Sequence, residues 1–409
     1  MSGGVDSSVA AAMLMAKGFE VIGITMLVCP LSFQNLNGEE YSPDVEEIDN
    51  RIELMLYCKA ETNSISEYMA PHKACDCYDK KCGDLCFHPL CTLIDSKKVA
   101  KKLGIQHFIL DLRKEFQEEI IESFAEEYGR GRTPNPCVRC NPSIKFGKLM
   151  EYARSLGADY FATGHYARVG KNEKTGEYEL LRGSDRTKDQ AYVLYRLSQK
   201  QLSKIMFPLG EFPKSKIREF AAALNLPVSE KTDSQEICFI PDDDYIKFLK
   251  ERYPDISKPG KIIHKNGSVL GIHQGLIHYT IGQRKRLGIS YPEPLYVLKI
   301  DHEENNLIVG ADEDLLNTVV ELEDIVWIGT PPEPRIDEEG EETPNNGKIR
   351  LLCKIRYKQE EAPAYLEMNE DKGTLVFDSP QRAITPGQSA VFYSWPDGDK
   401  IIGGGIITG

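Results

Sequence analysis

The stretch that decides the fold is the first one, MSGGVDSSVAAAMLMAKGF (residues 1–19). Gly3 and Gly4 form a turn that runs directly into a segment of helical spacing ending at Gly18. Such a turn points backbone N–H groups outward at a helix N-terminus, where the helix dipole adds partial positive charge. Glycine lets the backbone approach an anion closely. Ser2, Ser7 and Ser8 add hydroxyl donors, and Asp6 offers a carboxylate for Mg²⁺ on a bound phosphate. No Lys follows, so this is not the G-x-x-x-x-G-K-[ST] loop. A plain helix cap with a loose start is the competing reading, and composition favours the phosphate cradle.

Outward from this turn, EVIGITMLV reads as a buried strand, LIDSKKVAKKLGI as a helix and QHFILDL as a strand. FQEEIIESFAEEYGRG and FGKLMEYARSLGA read as helices, and DYFATGHYARV as a further strand. Alternating strands and helices imply an α/β domain with a doubly wound parallel sheet over residues 1–212. Residues 30–90 break the rhythm as a polar, cysteine-rich insertion. KSKIREFAAALNL and DDYIKFLKERY are helices of a small central domain, 213–290. From 291 to 409 short alternating strands separated by turns predict an antiparallel β-barrel. A phosphate loop of this kind normally hangs on the carboxyl end of the sheet's first strand. No residue precedes Met1 to make one, so the expectation is a start internal to a longer reading frame, with a substitute segment as the alternative.

The 409 residues exceed what one core usually supports, so two or three domains are expected. No apolar run approaches the roughly 18–20 residues that span a bilayer, and no signal peptide stands at the N-terminus. Eleven cysteines, an odd count without an export signal, point to a reducing cytoplasm and to thiols reserved for chemistry or metal. A net charge of −13 argues against bulk polyanion binding but leaves room for local basic clusters at 214–220, 282–288 and 354–359.

Two cysteine patterns stand out. GRTPNPCVRCNPSIKFG places Cys137 and Cys140 on what its prolines predict to be a stiff, extended loop, and KTDSQEICFIP carries Cys238 between strand-like flanks. A C-x-x-C pair is redox active, a metal half-site or chance, and a lone Cys is usually a small core residue. HKACDCYDKKCGDLCFHPLC holds Cys75, Cys77, Cys82, Cys86 and Cys91, with His72 and His88 beside them and Cys58 upstream. Four such ligands can close a structural zinc site, although C-x-C-x₄-C-x₃-C is not a standard zinc spacing and a metal-free thiol loop is the plainer reading. Cys353 falls in a barrel strand and reads as core.

SGGVDSS resembles the pyrophosphate loop of the PP-loop ATP pyrophosphatases, which adenylate a carbonyl oxygen. Together with GRTPNPCVRCN…IKFG, ADYFATGHYAR, LLRGSDRTKDQAYVLY, DSQEICFI, GQRKRLGI and TPGQSAVFY…GGGII, in that order, it resembles the tRNA-specific 2-thiouridylases across nearly all of the chain except roughly 30–90. The resemblance implies an adenine nucleotide alpha hydrolase-like domain, ATP with Mg²⁺, tRNA as substrate, a persulfide carrier or hydrosulfide as sulfur donor, and no membrane. It implies adenylation of O2 of the wobble uridine and its replacement by sulfur. Ser2, Gly3, Gly4, Val5, Asp6, Ser7, Ser8, Met26 and Gly164 match ATP-binding positions. Asn135, Pro136 and Cys137 match the stretch that touches the target base. His165, Lys188, Asp189, Gln190, Arg356, Tyr357 and Gln388 match tRNA-contacting positions; by themselves Tyr357 reads as core and Gln388 as a turn residue. Cys238 matches the persulfide carrier and Cys140 its partner.

Cys137 stands where some members carry Asp, so the chain resembles the branch with C-x-x-C plus a distant Cys. Two routes follow: a persulfide on Cys238, or a [4Fe–4S] cluster on Cys137, Cys140 and Cys238 that binds hydrosulfide. Lysidine synthetase shares the adenylating loop but needs no thiol pair. GMP and NAD synthetases share it but bind no tRNA. A non-enzymatic zinc- and tRNA-binding protein is the rival from another class.

Overall fold

Ile22–Leu27 alternates its side chains between two apolar environments, and that alternation organises the first domain. Ile24 and Met26 face a cluster around Phe116, Ile120 and Phe146, whereas Leu27 faces one around Ile48, Ile52 and Leu93. Successive strand residues point to opposite sides, so the sheet is covered on both faces, as a parallel sheet requires. The computed structural model describes residues 1–31, 33–34, 40–62, 89–232, 237–240, 244–334 and 347–408. Ile22–Leu27 pairs in parallel with Gln106–Asp111, from Ile22 opposite Gln106 to Leu27 opposite Asp111. A second parallel pair joins Phe161–Ala162 to Ile205–Met206. Met1 lies against Ile22–Leu27: its amine donates to the Ile24 carbonyl, and its own carbonyl accepts from Thr25 Oγ1 at 2.8 Å.

The first helix, Val5–Ala16, buries Val5, Val9 and Ala10 against Tyr166, Leu209 and Ile217. Part of the segment expected to interrupt the pattern is itself core. The helix Val45–Thr62 repeats apolar residues four apart, and Ile48 and Ile52 are fully buried. Each contributes about 2 kcal/mol of transfer free energy. The cysteines at 75, 77, 82 and 86 lie outside the described residues, so the expected zinc site falls there too. Cys91 lies in the first turn of the helix Pro89–Leu103 and is half-buried.

Three local expectations are corrected. The proline-rich stretch 133–142 is not an extended loop. Asn135 caps a helix at Pro136–Cys140, its Oδ1 accepting from the Cys137 amide at 3.1 Å. Pro136 stands in the first turn, where a missing N–H costs nothing. Pro142 then disturbs the α register, and the helix continues as a π-helix over Asn141–Leu149. Among the described residues Cys238 does not lie in a strand: Ile237–Ile240 is a turn closed by the Ile240 amide on the Ile237 carbonyl at 3.0 Å. The stretch 159–169 is broken: Phe161–Ala162 and Ala167–Lys171 are separate strands, with Gly164 and His165 in the bend between them.

The central sheet runs in the order Val269–His273, Gly260–His264, Asn306–Gly310, Tyr296–Asp301. The strands at 296–310, expected in the barrel, therefore pair here, Asn306–Gly310 lying parallel to Gly260–His264. The barrel itself is antiparallel and closed, because Leu316–Trp327 pairs with both Lys372–Arg382 and Lys400–Ile407. Cys353 is buried in its strand Ile349–Lys354, as expected. The barrel docks on the first domain through buried groups. Tyr192 donates to the Ser389 carbonyl at 2.7 Å. A Cβ at Gly404 would lie 2.8 Å from the Tyr195 ring, so this strand is glycine there to admit the tyrosine. Arg182 reaches across to Glu361 at 2.6 Å.

Candidate active site

The opening turn is built as a cradle and held from three sides. Gly3 has φ +60°, and a Cβ there would strike the Thr92 carbonyl at 2.6 Å. Gly4 caps the helix in an extended conformation, with no side-chain cap bond. Ser7 and Ser8 direct their hydroxyls to the Gly4 carbonyl, at 3.3 and 2.7 Å. The first N–H groups of a twelve-residue helix are thus left without a side-chain cap, which is the arrangement that receives an anion. Ser2 closes the turn on Ser7, its amide donating to Ser7 Oγ at 3.1 Å. Gly164 presses on the other side, where a Cβ would lie 2.7 Å from Asp6 backbone carbon and 2.8 Å from the Ser7 amide. Met26 stands half-buried on the adjoining strand.

Asp6 is held by an ion pair and a hydrogen bond. Lys214 binds both of its oxygens at 2.7 and 2.8 Å, and Tyr166 donates to Oδ1 at 2.8 Å. The carboxylate anchors the turn to the helix Lys214–Ala223. A second lysine, Lys231, bonds the Gly3 carbonyl at 3.1 Å and Asp95 at 2.9 Å. Sequence reading places Lys214 only in the basic cluster 214–220 and leaves Lys231 unmarked, because nothing in their spacing reveals what they reach.

The thiols come from two distant segments. Cys137 is exposed on the first turn of its helix, and Cys140 is buried one turn later on the same face. Burial pushes the Cys140 thiol up to about 11, with Lys145 opposing and Cys137 adding to the rise. Cys238 is an exposed residue whose thiol is nevertheless pushed far up, first by burial and then by Cys140 and Cys137, against the pull of Lys145. The three thiols thus lie within electrostatic reach of one another and of one ammonium group. Lys145 follows Cys140 by five residues, which a π-helix places on the same face. Cys29, not singled out from sequence, also lies within reach of Cys238; burial holds it at about 11, opposed by Arg252. Among the described residues no three Cys, His, Asp or Glu side chains converge as the ligands of a metal ion.

The remaining expected residues divide into two groups. Tyr357 is exposed, contrary to its plain reading as core, and stands edge-on to Tyr192 at 5.8 Å. Burial of its hydroxyl raises it to about 12, with Asp189 and Cys137 adding to the rise. His165 accepts or donates at Thr163 Oγ1 over 2.8 Å, and burial with Lys145 nearby holds it well below its usual range, so it is neutral. Gln388 donates to the Thr133 carbonyl at 2.6 Å, tying the barrel to the segment that leads into Asn135 and Pro136.

The other group faces inward. Asp189 is buried, its Oδ1 accepting from the Gly183 and Ala191 amides at 3.0 and 3.1 Å, with Arg182 at 3.4 Å from Oδ2. Its carboxylate shapes the turn that carries Lys188 and Gln190. Gln190 Oε1 accepts from the Tyr166 amide at 3.0 Å, joining that turn to the residue that holds Asp6. Arg356 spends one nitrogen on the Ala383 carbonyl at 2.6 Å and Thr385 Oγ1 at 2.8 Å. No helix among the described residues is long and apolar enough to cross a membrane.

Comparison with known proteins agrees with this layout. The chain matches three families in succession: one described as a tRNA methyl transferase HUP domain over residues 1–60 and 47–242, one as a tRNA methyl transferase PRC-barrel domain over 246–311, and one as an aminomethyltransferase beta-barrel domain over 318–407. It is 42% identical to the tRNA-specific 2-thiouridylase MnmA of Carboxydothermus hydrogenoformans over 410 residues, covering 100% of this chain and 96% of that protein. It is 42% identical to the MnmA of Heliobacterium modesticaldum, covering 100% and 91%. It is 44% identical to MnmA 2 of a Thermoanaerobacter species, covering 100% and 96%. With a nucleotide-type first domain, a central sheet and a closed barrel in the matching order, the chain belongs to the tRNA-specific 2-thiouridylase family.

Proposed function

We propose that this protein is an ATP-dependent tRNA sulfurtransferase that converts the wobble uridine to 2-thiouridine, releasing AMP and pyrophosphate. The observation that carries the reading is the pair Cys137 and Cys140 on one helix face, electrostatically coupled to Cys238 and Lys145, in the domain that also holds the phosphate cradle. Uracil O2 attacks the α-phosphorus of ATP, and pyrophosphate leaves toward the N–H groups at Val5–Ser7. The oxygen becomes part of an AMP leaving group. The terminal sulfur of a Cys238 persulfide then bonds to C2 of the base, and AMP departs with the bonding pair. Cys140 attacks the Cys238 sulfur, forms a disulfide with it and releases the thiocarbonyl; a cellular dithiol returns both to thiols.

Lys145 lowers the cost of the thiolate at both Cys140 and Cys238. Tyr357 presents an exposed ring for the target base once it leaves its stack. Asp6, held by Lys214 and Tyr166, fixes the cradle against the helix Lys214–Ala223. The sulfur donor is a persulfide carrier, and the cytoplasm is the matching compartment. The test is tRNA-dependent pyrophosphate release, with mass spectrometry of the digested tRNA for 2-thiouridine. Cys238→Ser is expected to abolish thiolation while leaving pyrophosphate release; thiolation at the normal level in that variant overturns the scheme.

A further inference from the structure

The π-helix that follows Cys140 is held open by a side chain from elsewhere in the fold. Pro142 has no N–H for the α ladder, and the wider π register begins at Asn141. Gln201 lies in the short helix Gln199–Leu202. Its Nε2 donates to the Pro142 carbonyl at 3.0 Å and to the Phe146 carbonyl at 2.9 Å. Its Oε1 accepts from the Ser198 amide at 2.9 Å and the Ser198 hydroxyl at 3.0 Å. All four hydrogen-bonding positions of the amide are therefore used, two on each side. On one side Gln201 completes an ordinary capping box with Ser198. On the other it bridges two carbonyls at opposite ends of a single π turn. Asn141 adds a second tie, its Nδ2 donating to the Val193 carbonyl at 2.8 Å.

We infer that Gln201 is a positioning residue for sulfur transfer: its amide holds the π turn that places Cys140 and Lys145 on one face toward Cys238. The inference rests on the function proposed above. The two sides of the amide can be separated by substitution. A capping box accepts Glu as readily as Gln, so Gln201→Glu keeps the acceptor toward Ser198. It replaces both donors to Pro142 and Phe146 with a carboxylate facing two carbonyl oxygens. Ser198→Ala does the reverse, weakening the cap while leaving the two donors in place.

The experiment uses the full chain with tRNA and ATP. Gln201→Glu is expected to lower kcat for thiolation by about tenfold or more, as a displaced reacting group does, with the KM for tRNA within about twofold. Residue-resolved alkylation with iodoacetamide should show Cys140 labelled faster, as the turn relaxes and exposes it. Cys353, buried in the barrel, should label as slowly as before, which separates local relaxation from unfolding. Ser198→Ala should match the wild type in kcat and in Cys140 labelling. Wild-type kcat and Cys140 labelling in a folded Gln201→Glu protein overturn the inference, as does an equal loss in Ser198→Ala. Absence of 2-thiouridine from wild-type reactions would instead overturn the proposed function itself.

Discussion

Gly164→Ala isolates the phosphate cradle from the sulfur chemistry. The added methyl would stand 2.7 Å from the Asp6 carbonyl carbon, 2.8 Å from the Ser7 amide and 2.9 Å from Asp6 Cβ. Ordinary contact begins at 3.4 Å, so the closest approach is short by about 0.7 Å. None of these atoms is the end of a flexible side chain. Asp6 is further pinned by Lys214 and Tyr166, so the strain must be taken up by the turn itself. Overpacking of this kind costs about 1–3 kcal/mol, and a shift approaching 1 Å in groups that position a reacting phosphate lowers the rate by about 10- to 100-fold. The assay is tRNA-dependent pyrophosphate release with an ATP titration. The expected result is a loss of that size, with folding intact by circular dichroism and Cys140 alkylation unchanged. Wild-type pyrophosphate release from Gly164→Ala would show that the turn is not the nucleotide's phosphate site.

Three further outcomes follow from the same contacts. Alkylation of the thiols should be ordered, with exposed Cys137 reacting well before Cys140 at pH 8; because burial holds the Cys140 proton on up to about pH 11, its rate should climb with pH through that range, and a plateau near pH 8.5 in peptide mapping would contradict the burial. Arg182→Met leaves Asp189 and Glu361 without their shared cation in a largely buried setting, so thermal unfolding should show a loss of about 3 kcal/mol, and a melting point unchanged within error would mean that the pair carries no net stability. Lys214→Met frees Asp6 Oδ2 and leaves Oδ1 to Tyr166 alone; since Asp6 is one-third exposed, the stability loss should be only about 1–2 kcal/mol, with the larger effect a rise in the KM for ATP, and an unaltered KM would separate Asp6 from nucleotide binding.

The sequence carried the composition of the site more fully than its construction. The glycines at 3 and 4, the C-x-x-C pair and Cys238 could be found because each is a residue type whose chemistry is unusual where it stands. The π turn could not, because Pro142 reads as a helix breaker until Gln201 is seen to bridge the carbonyls around it. Asp189 resembles a surface contact in a polar string, yet two backbone amides draw it inward. Lys145, Lys214 and Lys231 passed as ordinary solvated charges, since what distinguishes them is their distance to partners up to 228 positions away. The strands at 296–310 alternate as barrel strands would; their parallel match to Gly260–His264 depends on a crossover that periodicity does not encode.

The seam between the first domain and the barrel also bears on how the chain must fold as it is made. The Arg182 amide donates to the Asp399 carbonyl at 2.9 Å, Tyr192 waits for Ser389, and the Tyr195 ring fits only over Gly404. These partners lie some two hundred positions downstream. A nascent chain that has delivered Cys137, Cys140, Cys238 and the whole phosphate loop therefore still exposes two large aromatic rings and an arginine whose partner Glu361 is not yet made. Their burial awaits the last two strands, Ser389–Tyr393 and Lys400–Ile407. During synthesis this stretch is a sticky, incomplete surface, and completion of the enzyme is timed by the barrel's closing strand, even though the chemistry resides in the half that emerges first.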